Sequence, residues 1–288
     1  MAAHITAAST TATLTAANET GSASATSQTA AHGANPRVEM IALTGIPEIV
    51  PGDCLDSIIL ARLAAAGLAL EDGDVLVVAQ KIVSKSEGRY ASLRRVAVSP
   101  EADMLALEID KDPRLAQLVL DESVAVLRKR PGVVIVEHRN GYVHANAGID
   151  HSNIPFDAED PKLLLLPVNP DASAAKLRDA LHRETGATVA VIINDSAGRA
   201  WRNGVIGFAI GTAGIEPVTD LIGSRDRNGN ILQVTQIAVA DEMAAAASML
   251  MGQGAESLPV ILVRGARYNR AECGSKALIR PREIDLFR

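Results

Sequence analysis

The sequence predicts an α+β fold, with mixed or antiparallel sheets and helices packed against them. Strand-like and helix-like segments alternate without the regular period of a doubly wound sheet, and hairpin signals recur at Asn140-Gly141 and at 226–230. Hydrophobic residues make up 48% of the chain and aromatic residues only 2%. The core must therefore consist almost entirely of aliphatic side chains.

The first elements are a strand, a helix and a second strand. Residues 38–47 form an apolar segment that ends in a turn containing Gly45. Asp53 is suited to capping a helix that Gly67 closes. The segment 71–89 contains an acidic glycine turn and an apolar run, and we predict a buried strand followed by a polar turn.

Two helices are predicted next, each with proline at its first position. Ser99 is a capping residue for the helix that begins at Pro100. The second begins at Pro113 and is predicted to extend to the basic run 128–130, where cations complement a helix carboxyl end. We interpret the run as a solvated helix terminus rather than a binding patch.

A hairpin, a loop and a helix follow. Residues 133–150 predict two strands joined by the Asn140-Gly141 turn. The stretch 151–170 contains four prolines and is predicted to be a loop. Asp171 is expected to cap a helix that ends at Gly186.

The last elements surround a strand with a polar end. Residues 189–196 predict that strand, and 205–215 form an apolar segment punctuated by glycine. A hairpin turn is predicted at 226–230 and an Ala- and Met-rich helix at 241–251, with its methionines filling the core. Residues 258–265 supply a final strand.

Composition excludes several classes of function. The chain has 28 Lys and Arg against 34 Asp and Glu, a formal charge of −6, and few aromatic rings. Both features disfavour a nucleic-acid partner. No segment approaches the roughly 20 apolar residues of a membrane span. The two cysteines, Cys54 and Cys273, are too few for a disulfide scaffold, which fits a cytoplasmic location.

Chemistry-bearing residues gather in two polar turns after strands. Asp150 lies in the segment 146–153, and Asp195 with Ser196 directly follows a buried strand. Such carboxylates are suited to holding Mg²⁺ or Mn²⁺ against phosphates, or alternatively to capping turns. Lys85 is suited to a phosphate contact, or else to a solvated surface position. No P-loop, dinucleotide fingerprint or zinc motif is present, and the histidines lack metal-ligand spacing.

Taken together, the motifs resemble those of the coenzyme F420-0:L-glutamate ligase family, also called F420:γ-glutamyl ligase. The similarity extends from about Val38 to Arg264. The strings that carry it, in order, are GIPEI, AQKIVSKSEGR, NAGIDHSN, INDSAGRAWRNGVIGFAIG, ADEMAAAASMLMGQ and PVILVRG. The Ala-, Thr- and Ser-rich composition of residues 1–37 predicts a disordered tail. The resemblance implies a ligase catalytic domain at 38–267, followed by a C-terminal extension at 268–288.

The resemblance implies a GTP-dependent ligase and an α+β fold assembled as an intertwined homodimer. Such an enzyme joins L-glutamate to coenzyme F420-0 through an acyl phosphate and then extends a γ-linked oligoglutamate tail. It requires Mg²⁺ or Mn²⁺, and K⁺ assists. Two other functions stay open: a metal-dependent nucleotide hydrolase or phosphotransferase, and a non-catalytic GTP-binding regulatory module.

The family's site residues transfer to positions of this chain. The metal ligands correspond to Asp150, Asp195, Ser196 and Gln253. The nucleotide-binding positions correspond to Gly45, Ile46, Pro47, Glu48, Ile49, Gln80, Lys81, Lys85, Asn153, Met251, Gly252, Gln253, Gly254, Ala255, Glu256, Ser257 and Leu258. The pair Gln80-Lys81 replaces the small hydroxyl residues of some relatives. Our candidate catalytic residues are Lys85 and, from their place beside the metal motif alone, Arg199 and Arg202 as clamps for a substrate carboxylate.

Overall fold

The computed structural model describes residues 35–154 and 157–287, which contain twelve strands and six α-helices. The strands are β1 (Glu39–Ala42), β2 (Val75–Ala79), β3 (Tyr90–Ser92), β4 (Ser123–Arg130), β5 (Val133–His138), β6 (Val143–Ala145), β7 (Lys162–Leu164), β8 (Ala190–Arg199), β9 (Arg202–Ala213), β10 (Thr219–Asp220), β11 (Gln236–Ile237) and β12 (Val260–Arg264). The helices are α1 (Leu55–Ala65), α2 (Gln80–Ser86), α3 (Pro100–Ile109), α4 (Pro113–Asp121), α5 (Pro170–Thr185) and α6 (Val239–Met251).

A five-stranded mixed sheet in the order β1-β12-β2-β8-β9 is the main layer. Strands β2 and β8 pair in parallel, from Val75 opposite Ala190 to Ala79 opposite Asn194. The other three pairings in this sheet are antiparallel. The prediction of an α+β fold with mixed sheets is confirmed.

The central strands are apolar on both faces because helices cover both. Leu76 and Val78 of β2 face the cluster that contains α1 and α5. Val75 and Val77, which alternate with them, face the cluster that contains α6. This two-sided burial explains why β2, β8 and β12 read as continuous apolar runs rather than as alternating ones.

Helices α3 and α4 pack with the three-stranded sheet β4-β5-β6 around a separate aliphatic cluster. The Asn140-Gly141 turn joins β5 to β6 as predicted, with Gly141 at a φ of 97°. Ser99 caps α3 by accepting a hydrogen bond from the amide of Ala102, also as predicted. The Asp226 turn at 226–230 is likewise confirmed by its backbone hydrogen bonds.

Two predicted elements were wrong. The polar turn expected after β2 is the helix α2, which buries Ile82 and Val83 against the main sheet. The helix that begins at Pro113 ends at Asp121, and the basic run 128–130 lies at the end of strand β4. Alternating exposure along β4 and its pairing with β5 outweigh the charge pattern that suggested a helix terminus.

Two predicted caps were also displaced by one or two residues. Cys54 occupies the N-cap of α1, and the Asp53 carboxylate accepts from the amide of Val50 instead. Asn169 caps α5, while Asp171 accepts hydrogen bonds from the backbone of β9 and of a later segment. Gly186 ends α5 in a left-handed conformation, as predicted.

The predicted tail at 1–37 lies almost wholly outside the described residues. The predicted extension after 267 contributes Tyr268 and Leu278 to the cluster beneath α6. Among the helices that the structure describes, none is long and apolar enough to cross a membrane. Cys54 and Cys273 are both free thiols.

Close contact between β9 and α6 depends on a glycine. A Cβ atom added at Gly207 would lie 2.6 Å from Asn194 Oδ1 and 2.8 Å from Ser248 Cβ, and closer still to the Ala244 carbonyl oxygen. Because the helix backbone cannot yield as a flexible side chain can, we expect Gly207→Ala to lower the free energy of unfolding by about 2–3 kcal/mol. Urea denaturation measures this change.

Gly198→Ala is the matched control for that substitution. Gly198 lies on the neighbouring strand β8, its added Cβ would meet nothing within 4 Å, and its φ is not in the left-handed region. We expect its unfolding midpoint to match the wild type. Equal stability of both variants would contradict the close packing of β9 on α6.

Candidate active site

A cavity of about 590 Å³ lies at one edge of the main sheet. Its wall is formed by the turn after β1, the start of α2, the middle of β8 and the segment between α6 and β12, with Asn153 and Ile154 from the connection before β7. The lining residues are Ile46, Pro47, Glu48, Ile49, Ala79, Gln80, Lys81, Ile82, Lys85, Asn153, Ile154, Asn194, Asp195, Ser196, Met251, Gly252, Gln253, Gly254, Ala255, Ser257, Leu258 and Pro259.

Sheet topology brings these four segments together. Strands β1, β2 and β8 run in one direction, so the residues that follow β1 and β2 meet residues 194–196 in the middle of β8, where its pairing with β2 stops. Strand β12 runs in the opposite direction, and the residues before it therefore arrive there too. The amide of Ala79 donates to the Pro259 carbonyl at 2.8 Å, and that of Leu43 to the Val260 carbonyl at 2.9 Å.

Asp150 lies in the connection between β6 and β7, in contact with Gln80 and Lys81 of the cavity wall but not itself among the lining residues. Its backbone forms an isolated antiparallel bridge with Leu164, which places it beside α2. Gln80 Nε2 donates to Asp150 Oδ2 at 2.8 Å, and Lys81 Nζ lies 3.3 Å from Oδ1. Burial raises the pKa of Asp150, the Lys81 ammonium opposes this, and the Asp195 carboxylate raises the pKa further. The net shift is upward, and Asp195 is thus an electrostatic neighbour of Asp150.

The Asp195 carboxylate contacts a buried histidine and the backbone amide of the next residue. His144 Nε2 lies 3.1 Å from Asp195 Oδ2, and the Ser196 amide donates to Oδ1 at 2.8 Å. His144 Nδ1 lies 2.9 Å from the Ala145 carbonyl, to which it must donate. Burial lowers the pKa of His144, but the hydrogen bond and charge of Asp195 outweigh it and leave the pKa raised. The contact with Asp195 therefore favours the cationic form of the His144 imidazole.

The two remaining members of the predicted metal set contact each other. Ser196 Oγ donates to Gln253 Oε1 at 3.0 Å, and Gln253 Nε2 donates to Ser248 Oγ at 3.3 Å. Two carboxylates, a hydroxyl and an amide oxygen are ligands that hard divalent cations prefer, and Mg²⁺ often uses only one or two protein carboxylates. Within the described residues, no three His, Cys, Asp or Glu side chains cluster as a metal site. The donor set fits a cation that takes further ligands from substrate or water.

Lys85 is a buried cation beneath the turn after β1. Its side chain is 7% exposed, and its ammonium group forms a 2.5 Å ion pair with Glu48. Gly45 gives that turn its left-handed residue, at a φ of 73°, and its carbonyl accepts from Arg62 at 3.3 Å. Gly45 itself is not part of the cavity lining.

The wall after α6 also contains a glycine-dependent turn. Gly252 has a φ of 71°, and a Cβ atom there would overlap the Glu256 carboxylate. Glu256 Oε2 accepts from the Gly254 amide at 2.8 Å, so this side chain supports the wall without lining the cavity. At the end of α6, Met251 Sδ accepts a hydrogen bond from Asn194 Nδ2 of β8 at 3.3 Å.

Arg199 and Arg202 lie apart from the cavity of their own chain. They flank the tip of the β8–β9 hairpin and are fully exposed, and neither lines the cavity. Arg199 donates to the Gly204 carbonyl at 3.4 Å, within the same hairpin. The structure thus groups most of the predicted metal and nucleotide positions around the cavity. Gly45, Asp150 and Glu256 lie outside its lining, and so do these two arginines.

Sequence reasoning missed His144, Asn194 and Ser152 as neighbours of the site. His144 lies on the inward face of β6. Asn194 is the residue of β8 opposite Ala79, at the edge where the cavity opens. Ser152 accepts a hydrogen bond from Lys81 at 3.0 Å. The alternation of β6 was a weak signal for His144, and nothing in the spacing linked it to Asp195.

Comparisons with known proteins identify the family of this chain. The family model described as F420-0:Gamma-glutamyl ligase matches residues 45–265. Proteins named coenzyme F420:L-glutamate ligase are 43% identical over 253 residues in Methanothermobacter thermautotrophicus (87% of this chain, 99% of that protein) and 42% over 252 residues in Archaeoglobus fulgidus (88% and 97%). The namesake from Methanocaldococcus jannaschii is 39% identical over 252 residues (88% and 97%). The chain is an enzyme, a ligase, and it belongs to the F420-0:gamma-glutamyl ligase family.

Proposed function

We propose that this chain is a GTP-dependent ligase that adds L-glutamate to coenzyme F420-0 and then extends a γ-linked oligoglutamate tail. The observation that carries the proposal is the grouping of Asp195, Ser196 and Gln253 with Lys81 and Lys85 around one 590 Å³ cavity. The names of the relatives, coenzyme F420:L-glutamate ligase, supply the substrates.

An amide cannot form directly from a carboxylate, because oxide is a very poor leaving group and the negative charge repels an amine. Transfer of the γ-phosphoryl group of GTP to a carboxylate oxygen of F420-0 forms an acyl phosphate and releases GDP. The glutamate amine then attacks the acyl carbon, the C–O bond to phosphate breaks, and inorganic phosphate leaves as the amine loses a proton. Each later glutamate repeats these steps on the preceding γ-carboxylate.

The oxygen ligands Asp150, Asp195, Ser196 and Gln253 would hold Mg²⁺ or Mn²⁺. When bound, the cation would neutralise phosphate charge and align the phosphates for in-line transfer. His144 fixes the Asp195 carboxylate from behind, so its second oxygen keeps a defined direction. We include K⁺ as an accessory cation on the strength of the family resemblance alone.

The two lysines of α2 would bind the phosphates, as point charges with several donor hydrogens. Lys85 is buried and is oriented by Glu48, whose side chain is 64% exposed and free to turn into solvent. The turn at 45–49 and the segment 251–258 both contribute residues to the cavity lining and would enclose the nucleotide.

A homodimer is part of the proposal. The β8–β9 tip exposes Trp201 at 89%, Val205 at 53% and Ile206 at 39%, an apolar group that suits a protein contact. Arg199 and Arg202 share that tip. Their role as clamps for a substrate carboxylate then requires the hairpin to lie over the cavity of a second copy.

Two other functions use the same cavity. A nucleotide hydrolase or phosphotransferase would consume GTP without glutamate, and a regulatory module would bind GTP without turnover. The chain has all four residue types of the family's metal-ligand set, and Ser196 donates a hydrogen bond to Gln253. A complete set favours a catalytic site over a module that only binds nucleotide.

Incubating the purified chain with F420-0, glutamate, GTP and Mn²⁺ tests the reaction directly. We expect mass spectrometry to show products heavier by successive glutamate residues, with one GDP and one phosphate released at each step. Omitting glutamate should suppress phosphate release. Glutamate-independent phosphate release would indicate a hydrolase, and GTP binding with no release would indicate a regulatory module.

Removing either metal carboxylate should be severe. We expect Asp150→Asn and Asp195→Asn each to lower the rate roughly a hundredfold or more, because phosphate charge would no longer be neutralised in the transition state. Asp179→Asn, at an exposed ion pair with Arg178 on α5, should retain wild-type turnover. Steady-state kinetics measure all three, and activity within tenfold of wild type for both site variants would contradict the assignment.

The hairpin tip is tested through assembly. We expect Trp201→Ser to shift the chain from dimer to monomer in sedimentation velocity, and Arg199→Lys and Arg202→Lys to remain dimeric while raising the KM for glutamate or F420-0. Val234→Ser, which alters an equally exposed side chain (84%) elsewhere, should stay dimeric. Unchanged KM values in both arginine variants would remove the clamp role.

A further inference from the structure

We propose that Lys81 is the resident counter-ion of Asp150 in the ligand-free enzyme, and that it makes binding of the divalent cation conditional on the nucleotide. The cation takes the Asp150 oxygen that Lys81 holds, and the phosphates of the nucleotide receive the released ammonium group. This inference rests on the proposed function, since it concerns the same metal and nucleotide.

Both carboxylate oxygens of Asp150 are already engaged by the first two residues of α2. Gln80 Nε2 donates to Oδ2 at 2.8 Å, and Lys81 Nζ pairs with Oδ1 at 3.3 Å. Lys81 also donates to Ser152 Oγ at 3.0 Å, so its ammonium contacts two side chains of the segment 150–152. A cation that binds Oδ1 would lie close to the Lys81 ammonium, which repels it and must move aside for tight binding.

Lys81 is the partner that can leave. Ser84 Oγ donates to Gln80 Oε1 at 3.0 Å, which fixes the direction of the Gln80 amide, and Gln80 is only 2% exposed. The Lys81 side chain is longer, is 29% exposed, and lines the open cavity. Rotation about its side-chain bonds moves the ammonium into the cavity without disturbing the helix.

Electrostatics favour a positive charge at this position. The Asp195 carboxylate acts on Asp150 as a like charge, and burial also disfavours the ionised form of Asp150. With Lys81 withdrawn and no cation bound, the repulsion between two partly buried carboxylates would be uncompensated. With both Lys81 and a divalent cation on Asp150, two positive charges would repel each other at one oxygen. The two arrangements therefore compete.

The nucleotide resolves this competition. Its phosphates offer several anionic oxygens inside the same cavity, so the displaced ammonium exchanges one anionic partner for another. The metal and the nucleotide therefore favour each other's binding, and this coupling is reciprocal. In the absence of nucleotide the cation must compete with Lys81 and binds weakly.

The test measures Mn²⁺ affinity by electron paramagnetic resonance at fixed pH, without nucleotide and then with saturating GDP. Without nucleotide we expect Lys81→Met to bind Mn²⁺ about tenfold more tightly than wild type, a coupling of ordinary size. Lys81→Arg keeps the cation and should match wild type. Lys176→Met, which removes an exposed charge on α5, should match it too. With GDP, the advantage of Lys81→Met should disappear or reverse.

Substitutions at Lys81, Asp150 and Asp195 distinguish the failure of this inference from the failure of the proposed function. If Asp150→Asn weakens Mn²⁺ binding while Lys81→Met binds no more tightly than wild type, the counter-ion role is wrong and the metal site stands. The same conclusion follows if GDP strengthens Mn²⁺ binding equally in wild type and in Lys81→Met. If Asp150→Asn and Asp195→Asn both leave Mn²⁺ binding with GDP unchanged, the metal assignment itself is wrong. Circular dichroism confirms that each variant is folded.

Discussion

The parallel pairing of β2 with β8 sets the position of every part of the candidate site. Because the two strands run in the same direction, from Val75 opposite Ala190 to Ala79 opposite Asn194, β2 ends beside the middle of β8, which continues to Arg199. Antiparallel β12 then starts where β2 ends, and β1 ends beside it. Four chain segments that are distant in sequence are thereby confined to one cavity, at the strand ends where α/β sheets commonly bind ligands.

Small side chains allow β9 and α6 to pack closely, and this packing positions one wall of the cavity. Gly207 lets β9 approach the backbone of α6, and the same contact places Ser248 near the sheet edge. Ser248 accepts a hydrogen bond from Gln253, which in turn accepts one from Ser196 in β8. Aliphatic packing and site geometry are therefore linked, since the helix that fills the core with alanine also positions a candidate metal ligand.

Paired charges prepare the cavity for an anionic ligand and a cation. Lys85 lies against Glu48, Lys81 against Asp150, and His144 against Asp195, so each buried charge has a partner before any ligand arrives. Unpaired charges in such a place would cost several kcal/mol each. Binding then exchanges partners rather than desolvating bare ions, which is the reason that metal and nucleotide affinities should depend on each other.

The sequence by itself determined the aliphatic strands, the proline-started helices, the Asn140-Gly141 hairpin, and the residue types of the metal and nucleotide positions. These depend on local periodicity, turn chemistry and short motifs, which are written in neighbouring residues. It misassigned α2 and the basic run on β4, because short helices and edge strands take their conformation from what they pack against. Only the tertiary structure brought His144 to Asp195 and Lys81 to Asp150, and only it placed Arg199 and Arg202 outside the cavity of their own chain. Contacts between residues 51 or 69 positions apart depend on strand order and direction, which no local pattern encodes.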